Sequence, residues 1–141
     1  MSRNNLQLYI HLFFVTKYRD YLITDRVESK LHQFLWNKSL ELGLTPLMIN
    51  GIQDHVHLLI KIPSTITVAA VVKKLKAPNS RFLNELTQSN YFEWSRGYEA
   101  FTVSKIDISF IAEYIRNQKM HHSNGTVNSE LELSSHLLPK G

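Results

Sequence analysis

Residues 51–62 read GIQDHVHLLIKI, a run with the length and aliphatic content of a buried strand that nevertheless carries two histidines one residue apart. A strand alternates faces, so His55, His57, Leu59 and Lys61 share one side while Val56, Leu58, Ile60 and Ile62 take the other. The second side is wholly aliphatic and suits a packed core. The first holds two imidazoles whose Cα atoms lie roughly 6.5 to 7 Å apart, near enough for both rings to lean onto one cation or one phosphate. A His-x-His pair alone is more often surface or hydrogen-bonded structure than a site, so its meaning depends on what the rest of the chain brings to it.

Outward from this run, residues 47–52 and 55–62 form a hairpin turning at Gln53 and Asp54, and Pro63 ends it. Residues 6–16, LQLYIHLFFVT, are β-branched and aromatic and make a first strand, leaving through the polar Lys17, Tyr18, Arg19 and Asp20. Between strand and hairpin, Thr24 or Asp25 caps a helix carrying Val27, Leu31, Phe34, Leu35 and Leu42 at helical spacing, and Gly43 stops it. Beyond the hairpin, a second helix from Thr67 through Val68, Val71, Val72 and Leu75 is expected to be interrupted at Pro78. It restarts at Asn79 or Ser80 through Phe82, Leu83 and Leu86. Residues 98–104, YEAFTVS, alternate as a fourth strand. Ser104-x-x-Asp107 resembles a capping box opening a last helix, whose stripe of Ile108, Ile111 and Ile115 reaches about His122.

The order β-α-β-β-α-β plus a terminal helix specifies an α+β, ferredoxin-like antiparallel sheet with two helices on one face. His55 and His57 then lie on the other face, where the terminal helix can reach them. The division is a single domain over residues 1–122 and a Ser- and Asn-rich tail, 123–141, expected to be weakly ordered.

Composition narrows the chemistry. A chain of 141 residues with 43% hydrophobic and 20% charged residues is globular. It has no cysteine, which excludes disulfides and thiolate metal sites, so any cation must be held by His, Asp, Glu, Asn or Gln. The longest apolar runs fall short of a membrane span, and the N-terminus lacks the pattern of a secretory signal, so the expected location is cytoplasmic, with no membrane partner. A net charge of +4 favours a polyanionic partner.

The last helix, EYIRNQKMHH over residues 113–122, supplies that context. Tyr114 and Gln118 are four apart and share a face. Singly, a tyrosine beside Phe110 is helix-edge packing and a glutamine is solvated surface. Set against His55 and His57 they make a constellation: two imidazoles and an amide oxygen for a divalent cation, with a phenol nearby. A tyrosine suits attack on a DNA phosphodiester, since the new phosphotyrosine keeps the bond energy and resealing needs no nucleotide triphosphate. The chain has no G-x-x-x-x-G-K-[ST] loop. A phenol with an ordinary pKa near 10 is a poor nucleophile at pH 7, and a cation on the phosphate offsets that.

Together HLFFVTKYR, NGIQDHVHLLI, LKAPNSRFLNE, GYEAFTVS and YIRNQKMHH, collinear over most of residues 11–122, resemble the HUH-endonuclease single-tyrosine transposases. This TnpA-type family includes small insertion-sequence and REP-associated transposases. The resemblance implies Mg²⁺- or Mn²⁺-dependent cleavage and rejoining of single-stranded DNA, recognition of hairpins at element ends, and a homodimer in which the tyrosine helix can serve the partner's histidines. It matches His55 and His57 to the HUH pair, Tyr114 to the nucleophile and Gln118 to the third metal ligand. The polar tail departs from the charged helical extension of such relatives.

Secondary positions are Lys17 and Arg19 at a strand end and the basic stretch of Lys73, Lys74, Lys76 and Arg81, all candidates for DNA phosphate. His11 is read as structural, His121 and His122 as C-terminal helix caps, and Trp94 and Tyr98 as packing. Three alternatives differ in class. A domesticated relative would process repeated palindromes. A non-catalytic RNA-recognition-like module would need an aromatic K/R-G-F/Y-G/A-F-V-x-F/Y strand, which the chain lacks. A metal-dependent hydrolase would need a general base, for which Glu113 is the nearest candidate by sequence.

Overall fold

Among the described residues, 4–128 of this computed structural model, the chain runs β1 (Tyr9–Val15), α1 (Asp25–Glu41), β2 (Thr45–Ile52), β3 (His55–Lys61), α2 (Val68–Thr87), β4 (Glu99–Val103), α3 (Ile108–Arg116) and α4 (Gln118–Asn124). The sheet order is β2-β3-β1-β4 with every neighbouring pair antiparallel, the α+β ferredoxin-like arrangement. His57 pairs across the sheet with Phe13 on one side and Asn50 on the other, so the histidine strand is central.

The two faces divide as their side chains dictate. Val56, Leu58, Ile60 and Ile62 join Ile10, Leu12 and Phe14 of β1 in one core with Val27, Leu31 and Leu35 of α1 and Val71, Val72, Leu75 and Leu83 of α2. Truncating one such leucine to alanine would cost about 2–5 kcal/mol. On the opposite face Tyr9, Leu59 and Val103 pack against Ile111 and Ile115 of α3. That smaller core seats the terminal helices over the histidine side of the sheet.

Local chemistry sets several boundaries. Gly43, at φ +81°, supplies the left-handed turn that closes α1. Thr67 caps α2 through its hydroxyl, which accepts from the Ala70 N–H at 3.1 Å. No helix among the described residues is long and apolar enough to cross a membrane.

Three local expectations are corrected. Pro78 does not interrupt α2, which continues from Val68 to Thr87. Proline removes one ladder hydrogen bond, but buried Leu75, Asn79 and Leu83 hold the helix to the sheet on both sides of it. The terminal helix is two helices, because the chain leaves helical geometry at Asn117 (φ −98°, ψ 24°) before α4 begins. Ser104 forms no backbone cap: its hydroxyl donates to the Asp107 carboxylate at 2.8 Å, and a 3-10 turn, Lys105–Asp107, precedes α3. The expected weak order of the tail lies mostly outside the described residues; within them, α4 extends to Asn124 and ends at Gly125, φ +74°.

Candidate active site

β3 brings His55 and His57 to the α3/α4 face, and both are fully buried, as is Gln118 at the start of α4. Buried polar side chains are stable when hydrogen-bonded, and each of these is held. His55 Nδ1 lies 2.8 Å from Asp54 Oδ1, and its Nε2 lies 2.8 Å from Gln118 Oε1. His57 Nδ1 lies 2.8 Å from His11 Nε2. Phe13 stacks on the His55 ring at 5.0 Å and meets His57 edge-on at 4.5 Å, so an apolar floor fixes both imidazoles. As the element order allows, the chain's own α3 and α4 cover this face and bring Gln118 and Tyr114 to the two histidines.

Asp54 reaches two ways. Its second oxygen accepts from Arg19 Nε at 3.1 Å. Burial by itself raises this carboxyl, but hydrogen bonds and positive charge from His55 and Arg19 outweigh burial and leave it below the ordinary carboxylate value. An ionised Asp54 holds the Nδ1 proton of His55 and so orients that ring.

His55 Nε2 and the Gln118 amide oxygen lie 2.8 Å apart: a protonated His55 donates to that oxygen, whereas a neutral His55 with its proton on Nδ1 sets two lone pairs side by side. His122 Nε2 approaches the same oxygen at 3.1 Å, while Gln118 Nε2 is buried without a hydrogen-bond partner among the described residues. Such converging acceptors fit a cation. No group of three or more His, Cys, Asp or Glu side chains among the described residues is arranged to hold a metal, so the fit depends on the amide of Gln118 beside His55 and His57.

Tyr114, at 5% exposure, stands over this floor. Its ring centre is 6.1 Å from that of His57 at 90°, and His121 stacks on its other side at 4.6 Å. Its hydroxyl accepts from the Asn128 N–H at 3.0 Å. His121 and His122, read from sequence as caps, do lie in the last turn of α4, and from there they also flank the tyrosine and the glutamine. Asn50, which sequence reasoning passed over, locks the helix break: its amide nitrogen donates to the Arg116 carbonyl at 2.9 Å, and its oxygen accepts from Lys119 Nζ at 2.8 Å. Lys119 also pairs with Glu28 of α1 at 3.0 Å, tying Gln118's neighbour to the other layer. A cleft of about 520 Å³ opens beside His122, bordered by Tyr21, Asp25, Glu28, Gln53 and Lys119.

The basic candidates separate. Lys73, Lys74 and Arg81 are exposed along α2. Lys76 instead donates to the Ser95 and Gly97 carbonyls, both at 2.7 Å, and burial lowers its pKa to about 8. Arg19 is committed to Asp54, and Lys17 pairs with Glu93 at 3.2 Å. Glu113, the hydrolase candidate, is exposed and paired with Arg116.

Comparison with known proteins gives a consistent picture. The family model described as "Transposase IS200 like" matches residues 4–118. The chain is 28% identical over 120 residues to the ISDra2 transposase TnpA of Deinococcus radiodurans, covering 79% of this chain and 84% of that protein. It resembles the crystal structure of a putative transposase from the same organism with a TM-score of 0.66 and 27% identity, over 84% of this chain and 98% of the other. A REP-associated tyrosine transposase bound to a REP hairpin shares the fold, with a TM-score of 0.62 at 9% identity over 90% of this chain and 74% of that one.

Proposed function

Since the chain belongs to the IS200-like transposase family, we propose that it is a cytoplasmic enzyme that cleaves and rejoins single-stranded DNA at insertion-sequence ends through a 5′-phosphotyrosine intermediate. The observation that carries the reading is the closed pair of His55 Nε2 and Gln118 Oε1, with His57 on the same strand face and the Tyr114 ring over it.

In this reading the Tyr114 phenolic oxygen attacks the scissile phosphorus. The bond to the 3′ oxygen breaks, and that oxygen leaves as a free 3′-hydroxyl after taking up a proton. Rejoining is the reverse attack by a 3′-hydroxyl, and no triphosphate is consumed. His55, His57 and Gln118 would hold Mg²⁺ or Mn²⁺, which when bound polarises the phosphate and neutralises charge developing on its oxygens. Asp54 orients His55, and Phe13 keeps both imidazoles in place. The exposed Lys73, Lys74 and Arg81 suit backbone contacts to a DNA hairpin, and exposed Ile106 and Phe110 near α3 leave apolar surface for a second copy in a homodimer.

The test is incubation with labelled single-stranded element ends carrying their hairpins and Mn²⁺, followed by denaturing electrophoresis. The expected product is a covalent protein-DNA adduct that Tyr114→Phe abolishes while hairpin binding stays near wild type. An adduct that survives Tyr114→Phe would sink the assignment.

A further inference from the structure

His11 lies in the middle of β1, and it is fully buried. Strand parity puts it on the same side as Phe13, the side of the two site histidines, and not among Ile10, Leu12 and Phe14 of the larger core. Its Nε2 lies 2.8 Å from His57 Nδ1 with ring centres 5.0 Å apart, and Phe101 of the neighbouring strand packs on its ring at 5.8 Å. Two neutral imidazoles at this distance share one proton between these atoms: one nitrogen donates and the other accepts.

The direction of that bond decides what His57 can do. If His11 donated from Nε2, His57 Nδ1 would accept and its proton would sit on Nε2, blocking that nitrogen. If His57 donates from Nδ1, its Nε2 carries the lone pair. His55 is held the same way by Asp54 at its own Nδ1. Both strand histidines are thus gripped at Nδ1, one by a carboxylate and one by a third histidine.

We propose that His11 is a positioning residue that accepts the Nδ1 proton of His57 and so fixes the His57 tautomer with its Nε2 lone pair directed away from β1, ready for a cation. The use of that lone pair rests on the metal-dependent reading above; the tautomer itself does not. A His without such a partner samples both tautomers, and orienting partners of this kind typically contribute about 10- to 100-fold in metal affinity.

The test compares wild type, His11→Gln and His11→Phe. Gln keeps an acceptor at comparable reach, whereas Phe fills the space without one. The His57 tautomer is read in metal-free, ¹⁵N-labelled protein from long-range ¹H–¹⁵N correlations, and Mn²⁺ affinity is then titrated. The expected result is an Nδ1–H His57 in wild type and His11→Gln. In His11→Phe an Nε2–H population should appear and Mn²⁺ affinity should drop about 10- to 100-fold. An Nε2–H His57 in wild type overturns the proposal, as does a His11→Phe variant with the wild-type tautomer and affinity. Should His11→Phe fail to fold, wild type and His11→Gln decide by their tautomers. An Nδ1–H His57 in a wild-type protein that binds no Mn²⁺ upholds the role of His11 and defeats the metal reading, so the two failures are separable.

Discussion

The Tyr114 hydroxyl accepts a hydrogen bond from the backbone N–H of Asn128, so the chain that follows α4 returns to the phenol proposed as nucleophile. Thr126 supports this return, its hydroxyl lying 2.8 Å from His121 Nδ1 while His121 stacks on the Tyr114 ring. A hydrogen bond of this kind contributes about 0.5–1.5 kcal/mol, which must be given up before the phenol can attack. Truncation after Gly125 is therefore expected to raise the rate of adduct formation by about 2- to 10-fold, measured with a saturating single-stranded substrate. An unchanged or slower rate would show that this contact does not restrain the tyrosine.

Asp54 and Arg19 form the arm behind His55. Asp54→Asn is expected to weaken Mn²⁺ binding by about 10- to 100-fold, as read by titration calorimetry. Arg19→Ala should produce a smaller loss of the same kind. If Arg19 instead contacted phosphate, its removal would lower the salt dependence of DNA binding, which the arm role leaves unchanged.

The four basic residues near α2 are expected to part company in DNA binding. Lys73→Ala, Lys74→Ala and Arg81→Ala should each reduce the slope of log K against log salt by about 1. Lys76→Ala should leave that slope in place and lower the melting temperature, because its ammonium binds the Ser95 and Gly97 carbonyls.

Gly51 sits where a side chain has no room. A Cβ there would collide with the His55 carbonyl oxygen and lie 2.9 Å from Val56 Cα, both backbone atoms of the paired strand. Gly51→Ala must therefore push β2 and β3 apart at the histidines. The expected cost is about 2 kcal/mol or more in urea unfolding, with weakened Mn²⁺ binding.

His32 predicts an acid-sensitive fold. Burial lowers its pKa from 6.5 to about 4, Glu28 raises it and Lys119 lowers it. Between those values the unfolded chain takes up a proton that the folded one refuses, so stability falls as pH drops from 6.5 towards 4. The Asp54 contribution, with a folded value below 3.8, is lost only at lower pH. Comparing urea unfolding at pH 7 and pH 4.5, His32→Gln should lose less stability than wild type, by on the order of 2 kcal/mol. Equal losses would count against this assignment.

The element order was readable because period-2 alternation in GIQDHVHLLIKI and helical spacing in the flanking segments need no tertiary information. Tyr114 and Gln118 were legible through their four-residue separation, although the break at Asn117 places them on α3 and α4 rather than on one helical face. His11, Asp54, Asn50, His121 and His122 were not assigned to the site. Each owes its position to a partner on another element or across a helix break, and spacing along one element does not report that. One signal was available: His11 shares strand parity with Phe13, and a buried histidine on that face requires a polar partner. Pro78 misled because local propensity is weak against the buried residues on both sides of it.

The sequence by itself determined which elements form, which faces they bury, and that one sheet face carries two imidazoles. Alternation and helical period are properties of the chain that survive whatever it packs against. The tertiary structure alone decided that both histidines are gripped at Nδ1, that α3 and α4 are separate helices locked by Asn50, and that Arg19 reaches Asp54 and Lys76 the Ser95 and Gly97 carbonyls while Lys73, Lys74 and Arg81 remain exposed. Those outcomes depend on atoms brought within hydrogen-bond reach by strand pairing and helix docking, and a hydrogen bond between residues dozens of positions apart leaves no period in the sequence.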